Sequence, residues 1–144
     1  MPTRFTPHTF TIPALKGISA KSIEEHLKLY AGYVTNLNTI HEIVENADNP
    51  EYARREAYRR QGFEFGGMRN HEYYFKSFEG GAQAISPDSA LYKKITETVG
   101  SFDAFLTIFK SLALTRGVGW AMLGYDKQTD KLIQYWVDEQ HIGH

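Results

Sequence analysis

The chain has 144 residues, of which 42% are hydrophobic and 14% aromatic, so it can form one compact domain or two small ones and is not a disordered chain. Its net charge of −1 leaves no basic excess to neutralise a phosphate backbone, which argues against nucleic acid as a partner. The absence of cysteine excludes disulfides, thiolate metal sites and a cysteine nucleophile, so a metal would be held by His, Asp or Glu.

The amino-terminal residues contain Thr, Pro, Arg and His where a secretory signal needs a continuous apolar run. No later stretch reaches transmembrane length. We therefore expect a cytoplasmic protein with no membrane partner. The following T-F-T-I-P-A-L stretch is predicted to be extended, because Pro13 lacks an amide hydrogen and disfavours helix in the residue before it.

The first helix is predicted to begin after Ser19, a suitable N-cap residue. Apolar residues then recur at steps of three or four: Ile23, Leu27, Tyr30, Val34, Leu37, Ile40 and Val44. His26, Tyr30 and Tyr33 follow the same steps along the flank, so these side chains should face whatever the helix packs on. Residues 46–50 are expected to end this helix.

A second helical region is predicted from Glu51. Residues 51–61 are strongly helical but mostly polar, as in a solvated helix face or a connection. Phe63, Gly67, His71, Phe75 and Phe78 then fall at helical steps, which places another histidine on an apolar face. Gly66 and Gly67 each cost roughly 1 kcal/mol relative to alanine within a helix, so they predict close approach by a neighbour. The two helices should form an antiparallel hairpin.

The composition changes at Glu79-Gly80-Gly81, which predicts an N-terminal helical hairpin domain over residues 1–80 and an α/β domain over residues 81–144. A helix containing Leu91 and Ile95 should end at Gly100, and Ser101 should cap the next helix, which ends at Gly117. Two β-rich runs joined by D-K-Q-T-D then predict a hairpin of strands. The predicted fold class is therefore α+β, with helices packed on a small antiparallel sheet. Two strands alone are marginal in water, so this sheet is expected to need a partner.

Two histidines, one on each hairpin helix, are the candidate metal ligands. A histidine on an apolar helix face is commonly a hydrogen-bonded core residue, and this reading stays open for both His26 and His71. Imidazole favours a transition metal over Mg or Ca, but a site needs three or four protein ligands. His8, His41, His141 and His144 lack an apolar context and are expected to be solvated. The sequence contains no nucleotide-binding, serine-hydrolase or H-E-x-x-H motif.

A set of motifs, in order along the chain, resembles the iron/manganese superoxide dismutase family. These are I-S-A-K-S-I-E-E-H, Y-V-T-N-L-N, N-H-E-Y-Y-F, E-G-G, G-S-F-D-A-F and G-V-G-W-A-M-L-G. The resemblance implies a helical hairpin followed by helices on a three-stranded antiparallel sheet, with one metal ion per subunit between the domains. It also implies superoxide as substrate and, for the complete protein, a homo-oligomer, either a homodimer or a homotetramer. The family's ligands are two histidines from the hairpin, an aspartate and a histidine from the C-terminal domain, and one solvent molecule.

The resemblance assigns roles to particular residues. His26 and His71 match the two hairpin ligands, and Tyr33 matches the tyrosine that lines the substrate funnel and hydrogen-bonds towards the metal-bound solvent. Trp120 matches a tryptophan of the metal pocket. Phe75 stands where another tryptophan is common, Met122 replaces a further one, and Tyr30 lies beside the pocket.

The family's solvent-contacting glutamine has two possible origins. Iron-type members often carry it four residues before the second histidine, whereas manganese-type members have glycine there and take it from the end of the second strand. Here the first position is Gly67, and Gln140 follows the second strand, with His141 as the fallback. The resemblance thus implies Mn or Fe, with Mn slightly favoured.

The chain also departs from the family pattern. Tyr33 follows His26 by seven residues, one fewer than usual, as if a π-bulge were missing. The D-x-W-E-H-A-Y-Y segment, which supplies the other two ligands, the third strand and the closing helices, is absent. Two further readings therefore stand beside the enzyme: a catalytically inactive, truncated dismutase-like interaction module, and an incomplete reading frame. The activity of the 144-residue form itself is in doubt.

Overall fold

The computed structural model describes residues 4–141, which divide into two compact units. One unit contains the described residues up to Ala82 together with residues 140 and 141, and the other is Gln83–Glu139. The elements in chain order are four helices and then two strands. The predicted α+β class, with a helical hairpin before the sheet, is confirmed.

The first unit is an antiparallel pair of long helices, α1 (Ala20–Glu45) and α2 (Glu51–Lys76), each of 26 residues. The Ser19 side chain caps α1 by accepting a hydrogen bond from the amide of Ser22, as predicted for an N-cap. Within α1 the backbone is α-helical from end to end, with no π turn. The polar stretch 51–61 is not a separate connection, because it forms the first half of α2.

The core of this unit lies between the two helices. It consists of Tyr30, Val34, Leu37, Met68 and Phe75, each at most 1% exposed. Residues 4–14 form neither helix nor strand, and Phe5, Phe10 and Ile12 from this segment pack against the core. The predicted stripe of α1 is buried as expected, except that Leu27 and Val44 are only partly buried.

The amino-terminal segment is held on the hairpin by hydrogen bonds to its backbone. The side chain of Asn38 accepts from the Phe5 amide at 2.9 Å and donates to the Phe5 carbonyl at 2.9 Å. Farther along, the amide of Thr11 donates to the Glu79 carboxylate at 2.9 Å. Several polar backbone groups of a segment without secondary structure are thus satisfied by side chains of the first unit.

The second unit begins with α3 (Ala90–Val99) and α4 (Phe102–Ala113). Ser89 and Ser101 cap them by accepting from backbone amides three residues ahead. Gly100 adopts φ 93°, a left-handed conformation that favours glycine, and so allows α3 to stop one residue before the next cap. The helix α4 ends at Ala113, a few residues earlier than the Gly117 stop predicted from sequence.

The sheet consists of β1 (Gly119–Asp126) and β2 (Lys131–Asp138), paired antiparallel with Trp120 opposite Val137 and Asp126 opposite Lys131. Both helices of this unit pack against the sheet. Only part of the predicted α4 stripe is covered: Phe105 is buried, whereas Ile108 is 44% exposed. None of the helices in residues 4–141 has both the length and the apolar composition needed to cross a membrane.

Candidate metal centre

His26 on α1 and His71 on α2 face each other across the hairpin. The centroids of their imidazole rings are 4.8 Å apart and the ring planes are nearly perpendicular. His71 is 3% exposed, and His26 is partly buried. The two histidines that the sequence singles out are therefore neighbours in space, as two ligands of one metal ion must be.

A hydrogen bond to the helix backbone defines the tautomer of His71. Its Nδ1 lies 2.6 Å from the backbone carbonyl oxygen of Gly67, one turn earlier on α2. A carbonyl oxygen can only accept, so Nδ1 carries the proton and donates it. In the neutral ring the lone pair is then on Nε2, which is the arrangement of a histidine whose other nitrogen is held by a backbone carbonyl at a metal site.

Both imidazoles are held neutral. Burial lowers the pKa of His71 to about 4, an effect to which the neighbouring His26 adds and which the Gly67 carbonyl opposes. Burial also lowers the pKa of His26. A metal ligand must present an unprotonated nitrogen, so near pH 7 both rings are in the form that can bind a metal ion.

Aromatic side chains surround the pair. The ring of Phe75, which is fully buried, lies 5.0 Å from that of His26 and 6.1 Å from that of His71. Tyr74 lies 5.3 Å from His26, and Tyr33 lies 5.1 Å from His71, all measured between ring centroids. This shell has few polar groups, and it explains why burial dominates the pKa of both histidines.

Tyr33 packs directly on the helix backbone at Gly67. A Cβ atom built on Gly67 would overlap the Tyr33 ring, so the close approach predicted from the paired glycines is confirmed at Gly67. The Tyr33 ring also contacts that of Phe63, one turn before Gly67 on α2, at 6.2 Å between centroids. The absence of a side chain at Gly67 thus lets Tyr33 lie beside His71.

Tyr30 lies one turn after His26, and its hydroxyl is part of a buried polar network. It donates to the carboxylate of Glu72 at 3.0 Å and accepts from the backbone amide of His8 at 2.8 Å. Glu72 also forms an ion pair with Arg69. Burial raises the pKa of the Tyr30 hydroxyl, and the Glu72 carboxylate adds to this effect. Tyr30 is therefore a neutral hydrogen-bond donor rather than a phenolate.

Sequence reasoning missed Glu72 and Arg69. A signal was present, because Glu72 falls four residues after Met68 and three before Phe75, on the buried stripe of α2. A second buried glutamate, Glu64, was also missed. It accepts from Asn36 at 3.2 Å and pairs with Arg60 at 2.9 Å, and the Arg60 guanidinium also stacks on a phenylalanine ring of the same helix.

Asn70, which immediately precedes His71, is also buried. It is 2% exposed, and neither its amide nitrogen nor its amide oxygen has a hydrogen-bond partner in the described part of the chain. Buried amides are normally paired. The asparagine of the N-H motif thus leaves two polar atoms unsatisfied next to the candidate ligand.

Gln140 and His141 follow β2 and belong to the first unit. Gln140 is 6% exposed, so it is a buried polar residue of the unit that holds both histidines. The His141 ring contacts that of Phe63 at 5.6 Å between centroids, although the residue is exposed. Trp120 lies in the second unit, on β1. The roles predicted for Gln140 and Trp120 remain predictions.

The other histidines are mostly solvated, as expected. His8 is exposed like His141, whereas His41 is partly buried because its ring packs on Phe5 at 5.7 Å between centroids. His144 lies outside the described residues. The described ring contacts of His8, His41 and His141 are with Phe10, Phe5 and Phe63, respectively.

The residues present fit two positions of a metal site. Two neutral imidazoles, one with a fixed tautomer, suit a transition metal such as Fe. Among residues 4–141 there is no group of three or more His, Cys, Asp or Glu side chains that could hold a metal ion. The described part of the chain thus brings together two candidate ligands, and their role in binding a metal stays a prediction.

Comparisons with known proteins identify the family of the chain. Residues 87–143 match the family model described as the C-terminal domain of iron/manganese superoxide dismutases. A superoxide dismutase [Mn] from Mycobacteroides chelonae is 32% identical over 123 residues, which cover 81% of this chain and 86% of that protein. The chain belongs to the iron/manganese superoxide dismutase family.

Two other relatives show how much of the family's length is present. A superoxide dismutase [Fe] from Aquifex pyrophilus is 33% identical over 137 residues, covering 89% of this chain and 63% of that protein. A mitochondrial superoxide dismutase [Mn] from Glossina morsitans morsitans is 32% identical, covering 83% of this chain and 56% of that protein. The chain therefore spans less than two thirds of these relatives, and iron and manganese proteins both occur among them.

Proposed function

We propose that this protein takes part in the dismutation of superoxide to oxygen and hydrogen peroxide at a mononuclear Mn or Fe site, with His26 and His71 as two of the ligands. One observation carries the proposal: two neutral imidazoles, that of His71 buried and that of His26 partly buried, meet across the hairpin with 4.8 Å between their centroids. The relatives named superoxide dismutase, with Fe or Mn, support it.

When bound, the metal ion would supply one-electron redox chemistry, being alternately reduced and oxidised by superoxide. The protein's part is to hold and shield it. His26 and His71 would offer nitrogen lone pairs, because burial keeps both rings unprotonated. Tyr33 and Gln140 are proposed to hydrogen-bond solvent at the site, and Phe75 and Trp120 to keep its surroundings apolar. The two protons that hydrogen peroxide requires would come from solvent.

We also propose Mn over Fe as the preferred metal. Two features support this: Gly67 stands where iron-type members often carry glutamine, and Gln140 is buried in the unit that holds His71. The test is to purify the protein after growth with Mn and Fe supplied together and to measure the content of each. A predominance of Fe that also gives the higher specific activity would reverse the assignment.

The experiment for the main proposal combines metal analysis with a superoxide-consumption assay. His26→Ala and His71→Ala should each abolish retention of the metal, since either change removes one of the ligands. His8→Ala is the matched control, because His8 is exposed and contributes only its backbone amide to the network. Bound metal at one equivalent without superoxide consumption, or metal retained in both ligand variants, would refute the proposal.

A partner-binding module without catalysis is the second candidate, and exposed apolar side chains of the second unit favour it. Leu114 is 84% exposed and Val118 is 72% exposed, which suits an interface with a partner or a second copy. Light scattering after size-exclusion chromatography would detect a homodimer. Replacing both residues by serine should then give monomers, and a wild-type chain that is monomeric at all accessible concentrations would contradict the homodimer.

A further inference from the structure

The hydrogen bond between Tyr30 and Glu72 ties α1 to α2 inside the protein. Tyr30 Oη donates to Glu72 Oε1 at 3.0 Å, and the two residues are 1% and 7% exposed. A buried hydrogen bond to a carboxylate is stronger than an exposed one, and loss of either partner leaves the other unsatisfied. The bond therefore defines how the two helices lie relative to each other at this level.

The remaining hydrogen-bonding groups of Tyr30 and Glu72 also have partners. The backbone amide of His8 donates to Tyr30 Oη at 2.8 Å, so the hydroxyl both accepts and donates. Arg69 pairs with Glu72 Oε2, so each carboxylate oxygen has a partner. Because each of these groups has more than one partner, the directions of both side chains are fixed more firmly than by an isolated hydrogen bond.

The tie lies at the level of the two histidines. Tyr30 follows His26 by one turn on α1, a rise of about 6 Å, and Glu72 directly follows His71 on α2. Phe75 packs against both α1 residues, with its ring 6.2 Å from that of Tyr30 and 5.0 Å from that of His26, between centroids. A change in the distance between the helices here would move the imidazoles apart.

A second tie of the same kind lies farther along the hairpin and provides a control. Asn36 donates to the buried carboxylate of Glu64 at 3.2 Å, and Glu64 pairs with Arg60 in the same way that Glu72 pairs with Arg69. Asn36 is ten residues from His26, or about 15 Å along the helix. In both, a donor on α1 bonds to a carboxylate of α2 that is paired with an arginine of α2. They differ in their distance from the histidines, and Asn36 is exposed whereas Tyr30 is buried.

We propose that Tyr30 and Glu72 are positioning residues, which hold the His26 and His71 rings together before any metal binds. The inference rests on the proposed function only in taking these histidines as the ligand pair. Ligands held in place by a surrounding hydrogen-bond network lose little freedom on binding, and a site that is about 1 Å too loose binds poorly.

The test is nuclear magnetic resonance on the metal-free, full-length chain. The nuclear Overhauser cross-peak between ring protons of His26 and His71 reports their separation, and its steep distance dependence makes small displacements visible. In Tyr30→Phe, which removes only the hydroxyl, we expect this cross-peak to weaken by roughly threefold, as a displacement of about 1 Å requires. In Asn36→Ala it should keep its wild-type intensity.

Glu72→Gln is the second variant. It retains an oxygen that can accept from Tyr30 but loses the ion pair with Arg69, so the cross-peak should weaken less than in Tyr30→Phe. Circular dichroism verifies the helices of each variant. Cross-peak intensities are compared at the same number of degrees below the melting temperature of each variant, so that differences in global stability do not affect the comparison. An undiminished cross-peak in both Tyr30→Phe and Glu72→Gln overturns the proposal, as does an equal loss in Asn36→Ala.

A Zn²⁺ titration of the wild-type chain separates this inference from the proposed function. Saturable shifts of the His26 and His71 ring signals would support their role as ligands, and their absence would contradict that role. The cross-peak measurement needs no metal, so its outcome stands in either case. Failure of the ligand assignment and failure of the positioning role therefore give different data.

Discussion

Helices in both compact units of this chain carry an apolar stripe, and the two units differ in how much of that stripe is buried. In the hairpin unit, side chains of the predicted stripe such as Val34 and Leu37 are at most 1% exposed. In the second unit, α4 has an equally clear apolar stripe, yet Phe105 is its one buried member and Ile108 is 44% exposed. An amphipathic pattern thus predicts which face of a helix can be buried, whereas the packing partner decides how much of that face is buried.

The largest effect should come from a cavity in the hairpin core. Leu37 is fully buried, so we expect Leu37→Ala to lower the free energy of unfolding by about 3 kcal/mol, through lost burial and an unfilled cavity. Ile108→Ala in the second unit should cost less than about 1 kcal/mol, because that side chain is already half exposed. Urea denaturation of both variants checks this, and equal losses would remove the contrast between the units.

Acid should weaken the hairpin before the second unit. The pKa of His71 is lowered to about 4 in the folded, metal-free chain, whereas an unfolded histidine titrates near 6.5. The unfolded chain therefore takes up the proton first, and stability falls as the pH drops from about 6.5 towards 4, by about 3 kcal/mol in total. Unfolding free energies measured across this range should show the loss, and His71→Phe should remove most of it.

The second unit supplies the contrast in this experiment. Residues 83–139 contain no histidine, and its shifted carboxyls, Asp126 and Asp130, have a lowered pKa owing to hydrogen bonds, from Thr129 and Lys94 respectively. The contribution of these groups is present above their usual pKa near 3.8 and is lost only at lower pH. At pH 5 the protection of backbone amides against hydrogen exchange, corrected for the intrinsic rate at that pH, should therefore fall in α1 and α2 first. Earlier loss of protection in β1 and β2 would contradict this order.

Glycine substitutions compare how freely the two units can adjust. A Cβ at Gly67 would overlap the Tyr33 ring, which also contacts Phe63 on the same helix, so Gly67→Ala should cost about 2 kcal/mol. At Gly124 the new Cβ would meet the Tyr135 ring at 2.9 Å, but that ring is 37% exposed and can turn away. We expect a cost below about 1 kcal/mol there. Thermal denaturation measures both, and a reversed order would show that the hairpin can relax.

The helix caps should give the smallest effect. Ser19 caps the 26-residue α1 and Ser101 caps the 12-residue α4, each by accepting from a backbone amide at 3.1 Å. Loss of such a cap costs about 1 kcal/mol, and it should loosen the short, less buried α4 more than α1. Hydrogen exchange in the first turn of each helix in Ser19→Ala and Ser101→Ala measures this, with equal acceleration as the result that would contradict it.

Much of the fold could be predicted because its determinants are local. Caps such as Ser19 and Ser101, the stop at Gly100 and the steps of three and four along α1 are all encoded within a few residues. The unity of α2 was harder to see, because its first half is polar and only its second half carries the apolar stripe. A helix can continue from a polar stretch into an apolar one as long as no helix-breaking residue stands between them. A search for apolar periodicity does not look for such residues.

The candidate site was predicted less completely. His26 and His71 stood out because each lies on an apolar stripe, and the structure places their rings side by side. The bond from Tyr30 to Glu72 could not be read in the same way, since it joins residues 42 positions apart and depends on the alignment of two helices. Periodicity indicates which way a side chain points, and only the packed structure decides what it meets.

The way the amino-terminal segment is fastened also bears on the order of folding. Its anchoring partners are distant in sequence: the bond from Arg4 to the Asn38 carbonyl spans 34 residues, and that from the Thr11 amide to Glu79 spans 68. Contacts that close such long loops form late, because their entropy cost is met only once intervening structure exists. During synthesis both helices would thus form before residues 4–14 could dock, so this segment is fixed only after residues that follow it in the chain.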